Sequence, residues 1–357
     1  MTPSDSKPIA AYLGPIASYS QQAALQAFSE DVWYLKPVTT IDGKYGLVPC
    51  LLVHALQALS LTWGPWLDVC DETQDKHALL GVVPIENSTN GSVVFTLDDL
   101  ADRDGRYKDI YVNGEIYVDV HHQLLGHKNP EAAKPSDQGS SGASTPTVAD
   151  PTPAKPRSKP LENLDHIKKL YSHPQAFGQC NHFISTYLKN AEKFDVSSTS
   201  KAAELVAADA SGASAAISSK LAGDLYALDT LAASIEDRDD NTTRFLVIGT
   251  RPTLPRDYPL RQDPARRTGT KSLVTFTVPH KCPGALADIL GCFREFQLDL
   301  TSINSRPSLL GPFQYIIFVE FEGHRLDDPD GRVGSALEKI EKMAQKFRWL
   351  GSWYTYR

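Results

Sequence analysis

An α/β fold followed by a smaller βαββαβ unit is predicted by three features of this 357-residue chain. Short apolar runs alternate with helical stretches from residue 9 to about residue 249, as in domains that layer helices on sheets. Beyond residue 270 the hydrophobic pattern sharpens into clear two-residue and 3.6-residue repeats. Between these parts, and once inside the first, the composition turns to Pro, Ser, Gly and charge. This marks a linker at 251–270 and an insertion at 129–160.

The first unit, residues 9–250, follows a polar tail at 1–8. Residues 9–13 (IAAYL) read as a strand, and residues 21–28 as a helix entered through Ser18 or Ser20, either of which suits a cap. Residues 51–61 place Val53, Leu56 and Ser60 at helical intervals. Residues 79–85 are apolar and partly β-branched, which favours a buried strand. A further strand is expected at 115–120, helices at 202–208 and 220–231, and a short strand at 215–217. The insertion has no aromatic residue, and Val148 is its only large aliphatic. It cannot bury enough apolar surface to offset an ordering cost of about 1–2 kcal/mol per residue, so it reads as disordered, with a solvated basic end at Lys155, Arg157 and Lys159.

The second unit, residues 271–357, begins with a strand at 272–278 (SLVTFTV). Residues 284–296 set Leu286, Ile289, Leu290 and Phe293 on one helical face. Two strands follow at 298–304 and 313–322. Val333, Leu337, Ile340, Ala344 and Phe347 mark a second amphipathic helix, and a strand at 349–356 closes the unit. This order is ferredoxin-like.

A net charge of −7 without a long basic block argues against nucleic-acid binding. An anionic ligand must therefore meet a local positive patch. Cys50, Cys70, Cys180, Cys282 and Cys292 show no CxxC pairing and read as buried reduced thiols. The N-terminus lacks the build of a signal peptide, and no apolar run approaches the roughly 20 residues that span a bilayer, so a cytoplasmic location without membrane association is expected.

Three polar turns stand out: 81–88 (GVVPIENS), 171–180 (YSHPQAFGQC) and 241–245 (NTTRF). Such turns, drawn from distant segments, suit the wall of a cleft for a small anionic molecule. Glu86, Asn87 and Ser88 follow a buried strand, where ligands of α/β sheets collect. A helix N-cap is the ordinary alternative, and amides at a helix start also bind anions. Pro174 suits a first helical turn, so Ser172 or His173 caps it; His173 is read as structural and Gln175 as a ligand contact. Arg244 lies after Asp237, Asp239 and Asp240, and pairing with a surface carboxylate is its ordinary alternative. A hydroxyl beside a guanidinium also suits a substrate with a leaving hydroxyl and carboxylates.

In order and wording these segments resemble the fingerprints of prephenate dehydratases. GPIASYS at 14–20 resembles the family's GPxGT[FY]S, and 81–97 resembles GxxPIENSxxGxVxxTL. Residues 171–180 resemble SHPQAxxQC, and Thr243-Arg244-Phe245 is similar to TRF. Ser198-Thr199 with Ala202-Ala203, the AAI at 215–217 and the YAL at 226–228 follow the family's STxxAA, AAI and YxL. The second unit resembles an ACT domain, with Pro283 to Leu286 at its GAL motif and Asn304 to Pro307 at its ESRP.

The resemblance implies two α/β lobes around a cleft, as in periplasmic binding proteins, plus the ACT unit. It implies conversion of prephenate to phenylpyruvate with loss of carbon dioxide and water, without cofactor, metal or covalent nucleophile. Thr243 would donate to the leaving hydroxyl, Glu86 would supply a proton if burial raises its pKa, and Asn87 joins them as catalytic. Arg244, with Ser88 and its neighbouring amides, would hold carboxylates. Gln175 would fix the ring or side chain, and Phe245 and Ser18 complete the substrate contacts. Gly284, Ala285, Leu286, Asn304, Ser305, Arg306 and Pro307 would take phenylalanine as feedback effector. A homodimer or dimer of dimers is expected. Arogenate as substrate, or a non-catalytic amino-acid sensor, are the alternatives. Ala17 replaces the motif's Gly, which suggests that no positive φ is needed there. Asn304 replaces Glu, which removes a carboxylate that would hold an ammonium.

Overall fold

The computed structural model describes residues 7–38, 67–128, 155–252, 261, 264–279 and 282–356. The helix expected at 51–61, and residues 129–154 of the insertion expected over 129–160, lie outside the described residues.

The apolar runs form two sheets. The larger contains β1 (Ile9–Leu13), β2 (Tyr34–Val38), β3 (Leu80–Asn87), β4 (Gly91–Ser92), β5 (Tyr111–Asp119) and β11 (Thr242–Gly249). It continues through β12 (Arg267–Thr277), β13 (Leu300–Pro307), β14 (Tyr315–Glu322) and β15 (Lys346–Tyr356). Its order is β13-β14-β12-β15-β5-β11-β3-β1-β2, with β4 paired to β3. The smaller sheet has the order β10-β6-β9-β7-β8, built from β6 (Gln123–Gly126), β7 (Lys169–Ser172), β8 (Glu192–Asp195), β9 (Ser214–Ser218) and β10 (Asp229–Ala232). The chain passes between the sheets after β5 and again after β10. The two crossings are bonded to each other, Val120 N to Asn241 O at 2.7 Å and Ile235 N to His122 O at 3.0 Å.

The described helices are α1 (Tyr19–Ala27), α2 (Leu67–Gln74), α3 (Val94–Ala101), α4 (Pro174–Gln179), α5 (Asn181–Tyr187), α6 (Thr199–Ala207), α7 (Lys220–Tyr226), α8 (Ala285–Glu295) and α9 (Arg332–Met343). Ser18, of the two expected candidates, caps α1 by accepting from the Gln21 amide at 3.2 Å. The helix expected over 220–231 is shorter. Ala227 turns left-handed at φ +53°, and the next residues form β10. Ala17 corrects a second expectation, since it adopts φ +66° after all. Its amide donates to the Gln21 side chain at 2.5 Å and its carbonyl accepts from the Ser219 hydroxyl at 3.1 Å, contacts that hold a conformation costing an alanine about 1–2 kcal/mol.

In the second unit the βαββαβ order is observed, with three shifts of boundary. β12 starts at Arg267, inside the expected linker, because Gly269 and Thr270 already pair with Thr355 and Tyr354. β13 runs from Leu300 to Pro307 rather than over 298–304. Ala344 is extended and Phe347 lies on β15, so neither belongs to α9. One face of this sheet packs Val274, Phe276, Val319 and Phe321 against Ile289, Phe293, Leu337 and Ile340 of α8 and α9. Leu273, Phe318, Leu350 and Trp353, on the other face, share a core with Ile85, Leu97, Leu246 and Ile248 of the first unit. The units also meet edge to edge where Gly351 of β15 pairs with Val112 of β5. A Cβ at Gly351 would lie 2.1 Å from the Val112 carbonyl oxygen, and its φ is +146°, so only glycine allows this approach.

Two surface expectations also change. Arg157 is not solvated freely, since its guanidinium lies 3.5 Å from both Glu236 and Asp239. Cys282 is exposed rather than buried. No described helix is long and apolar enough to cross a membrane.

Candidate functional site

β3 and β11 run antiparallel, with Asn87 opposite Thr243 and Glu86 opposite Arg244. Successive side chains of a strand point to opposite faces, so these four residues divide into two pairs on two sides of the sheet. On one side the Asn87 amide donates to Thr243 Oγ1 at 3.0 Å and to Asn241 Oδ1 at 2.8 Å. Its carbonyl oxygen accepts from the Thr89 and Asn90 amides at 3.0 and 2.9 Å. Those two backbone donors fix which way the side-chain amide points. Thr243 Oγ1 therefore acts as an acceptor toward Asn87, and its own proton is left to donate elsewhere.

Ser88 pins this arrangement and does not reach out from it. Its hydroxyl donates to Asp240 O at 2.8 Å and accepts from Thr242 N at 2.9 Å, while its amide donates to Thr242 O at 2.9 Å. The amides of Ser88, Thr89 and Asn90 are thus already engaged, which corrects their expected part in holding substrate carboxylates.

Arg244 requires a larger correction. Its side chain lies on the face away from Thr243, where Glu115 accepts from Nε at 2.9 Å and Glu320 accepts from Nη2. It is 9% exposed, so a substrate on the Thr243 side does not reach its charge. Glu86 shares that far face, half-buried, and lines a small cavity with Arg244, Ser92, Asn304 and Glu320. Strand alternation therefore separates it from the hydroxyl it was expected to serve. Phe245 is buried in a core with Tyr12, Phe28, Val82 and Val118, and is not a substrate contact.

In the third turn, His173 caps α4 through Nδ1, which accepts from Gln175 N at 3.3 Å. Burial pushes the His173 pKa down despite the nearby Asp195. Gln175 is exposed on the first turn of α4. This turn reaches the other two through the crossings. Asp237 N donates to Gln179 O at 2.7 Å, and the Asp237 carboxylate accepts the first amides of α5 from Asn181 and His182, each at 3.0 Å. Gln179 Oε1 lies 2.7 Å from His122 Nε2, and Tyr19 OH lies 3.1 Å from His122 Nδ1. A glutamine carbonyl only accepts, so Nε2 carries the proton and Nδ1 accepts from tyrosine. Burial lowers the His122 pKa, in keeping with this neutral ring. Glu236 closes the group, accepting from His122 N at 2.9 Å.

Tyr19, His122, Gln179, Glu236 and Asn241 were not singled out from the sequence. Asn241 opens the third quoted turn and Gln179 lies inside the second, so both were visible. The His121-His122 pair after a predicted strand was the available signal for the crossing. Ser18 is engaged as the α1 cap, in the loop whose Ile16 and Ala17 carbonyls accept from Ser200 and Ser219 of the other sheet's helices.

The C-terminal residues are likewise divided. Asn304 Oδ1 accepts from the Ser92 hydroxyl at 2.9 Å, and Arg306 forms a bidentate pair with Asp98 on α3 at 2.7 and 2.8 Å. Burial works to raise the Asp98 pKa, but Arg306 and Arg103 hold it below the usual range. Asn304 and Arg306 are therefore turned toward the first unit and are not free for an effector. Ser305 and Pro307 are exposed, as are Gly284 and Leu286 at the start of α8, and Ala285 is half-buried. Among the described residues no His, Cys, Asp and Glu cluster is arranged to hold a metal ion.

Residues 65–253 match the family model described as prephenate dehydratase. A bifunctional chorismate mutase/prephenate dehydratase from Neisseria gonorrhoeae is 31% identical, over 97% of this chain and 74% of its own length. A prephenate dehydratase from Methanocaldococcus jannaschii is 32% identical, over 96% of both chains. The structure of a prephenate dehydratase from Arthrobacter aurescens in complex with L-Phe superposes with a TM-score of 0.68 at 25% identity, covering 97% of this chain and 90% of that one.

Proposed function

This chain belongs to the prephenate dehydratase family of lyases, and from that premise we propose that Thr243, oriented by Asn87, drives departure of the ring hydroxyl from prephenate. The 3.0 Å contact from Asn87 to Thr243 Oγ1 carries the assignment. Aromatisation makes the overall change favourable. The barrier lies in expelling hydroxide while electrons leave the ring carboxylate as carbon dioxide. An unperturbed threonine is a weak acid, so its part is a preorganised hydrogen bond to the oxygen as charge grows there. Because Thr243 Oγ1 accepts from Asn87, its hydroxyl proton remains free to donate to the leaving oxygen. Gln175 on α4 is the partner proposed for the ring or side chain, which places the substrate between the two sheets, in a cleft of the kind seen in periplasmic binding proteins. Exclusion of water there would favour loss of the departing carboxylate's charge.

The unit from β12 to β15 is proposed to be an ACT domain with ferredoxin-like topology, and phenylalanine to be its effector. The neighbouring structure was obtained in complex with L-Phe, which supports this. β13 is an edge strand of the large sheet. Leu300, Ile303, Leu309, Leu310, Phe313 and Tyr315 are exposed on it and on the adjoining hairpin. Such an edge suits pairing with a second copy, which makes a homodimer the proposed assembly. The test is formation of phenylpyruvate from prephenate by the purified protein, followed by absorbance with and without phenylalanine, with arogenate as the competing substrate. Faster turnover of arogenate, or no turnover of either, would count against the assignment.

A further inference from the structure

One short segment between β1 and α1 takes hold of the part of the chain built on the smaller sheet. The Ile16 carbonyl accepts from the Ser200 hydroxyl at 2.6 Å, and the Ala17 carbonyl from the Ser219 hydroxyl at 3.1 Å. Ala17 is fully buried and clusters with Leu125, Ala202, Ala216 and Ala222, so its methyl belongs to the core of the smaller sheet and not to that of its own. Two residues on, the Tyr19 hydroxyl lies 3.1 Å from Nδ1 of His122, in the first crossing between the sheets.

Topology puts this contact at the cleft. β1 and β3 run parallel, so Gly14, which follows β1, and Asn87, which ends β3, lie toward one edge of the larger sheet. β7 runs parallel to both β8 and β9, so Gln175 after β7, Ser200 after β8 and Ser219 after β9 share one edge of the smaller sheet. Ligands of open α/β sheets collect at such carboxyl edges. The segment therefore joins the two edges that carry Asn87 and Gln175. The join is also strained. Ala17 holds φ +66°, a conformation that persists in alanine only where the surroundings impose it, and strain of this kind gathers at clamps and switches. Burial of the methyl and the two serine hydrogen bonds favour seating, whereas the backbone conformation favours release.

We propose that Ile16 and Ala17 form a clasp that closes the cleft over substrate, seating when the sheets come together and letting go when product leaves. The paired crossings, bonded from Val120 to Asn241 and from Ile235 to His122, are the hinge of this motion, and Tyr19 ties the clasp to it. The proposal rests on the reading that the substrate lies between the two sheets.

Ser200→Ala removes one donor and leaves a residue that suits α6. In the full-length protein it should raise KM for prephenate about threefold or more with kcat within about twofold. Thr243 and Asn87 sit together on the larger sheet and act unchanged once the cleft has closed. Ser200→Ala/Ser219→Asp removes both donors while the aspartate still caps α7, and should raise KM about tenfold or more. Small-angle X-ray scattering gives a readout that local packing would not move. The radius of gyration of the free protein should grow in both variants and return to the wild-type value with saturating phenylpyruvate. Wild-type KM and scattering in folded Ser200→Ala would overturn the clasp, as would a fall in kcat alone. Scattering also separates the clasp from the reading beneath it. Opening of the variants in a protein that fails to turn over prephenate keeps the clasp and removes the substrate. Turnover with neither opening nor a change in KM removes the clasp alone.

Discussion

Thr243→Ala is expected to lower kcat about 10²-fold or more with little change in melting temperature, the loss typical of one preorganised donor. Asn87→Asp tests the orientation directly. A carboxylate in place of the amide accepts from Thr243 where Asn87 donates, turning the hydroxyl proton away from the substrate, so kcat should fall to a similar extent. Normal turnover in either folded variant would remove the assignment. Two adjacent carboxyls on α3 predict opposite pH behaviour. The Asp98 pKa is lowered by Arg306 and Arg103, so its contribution is present above about pH 4 and lost as pH falls through the depressed value. The stability deficit of Asp98→Asn should therefore be widest at neutral pH and close in acid. Burial, followed by Asp98 and Asp71, raises the Asp99 pKa to about 7. The folded state then holds a proton that the unfolded state releases near pH 4, and stability falls as pH rises between those values. Asp99→Asn should melt higher than wild type at pH 8 and lose that advantage near pH 4. Thermal melts across this range check both signs.

At the scale of elements, Gly351 is the point of contact to test. Gly351→Ala places a Cβ against the Val112 carbonyl in a backbone region that alanine avoids, so a loss of about 2–3 kcal/mol in urea unfolding is expected. An unchanged midpoint would mean that β15 does not seat on β5. Most strands and helices were legible in the sequence because each carries its own period: β12 alternates, and α8 and α9 bury one stripe each. The ends of elements were less legible, because they depend on tertiary partners. β12 extends back to Arg267 because β15 is there to pair with it, and the helix at 220–231 stops at a left-handed alanine that no local pattern announces. The site was readable as three turns, but the faces their side chains take were not. Arg244 was assigned to the substrate because its carboxylate partners lie 129 and 76 residues away in sequence, at Glu115 and Glu320. The shift of register between Arg244 and Phe245, and the positive φ of Ala17, are likewise set by neighbours distant in the chain.

For the whole molecule, the proposed assembly and its control depend on one edge strand. Ile303, 53% exposed on β13, is a position where a charge blocks edge pairing without disturbing a core. Ile303→Glu should sediment as a monomer and lose inhibition by phenylalanine while retaining basal turnover of prephenate. A variant that remains dimeric and inhibited would refute edge pairing as the route of assembly. Because Asn304 and Arg306 are bonded to Ser92 and Asp98, an effector that recruits either must first break a contact with the first unit, so weak inhibition is expected. The seating of β15 against β5 bears also on how the chain is made. During synthesis β5 emerges long before β15, and at ribosomal speeds the interval is on the order of ten seconds or more. Throughout that time the nascent first unit carries an unpaired strand edge beside apolar side chains that the later strands will cover. Such an edge recruits other chains, so crowded expression at high temperature should favour aggregation of unfinished molecules, and slower growth should favour soluble product.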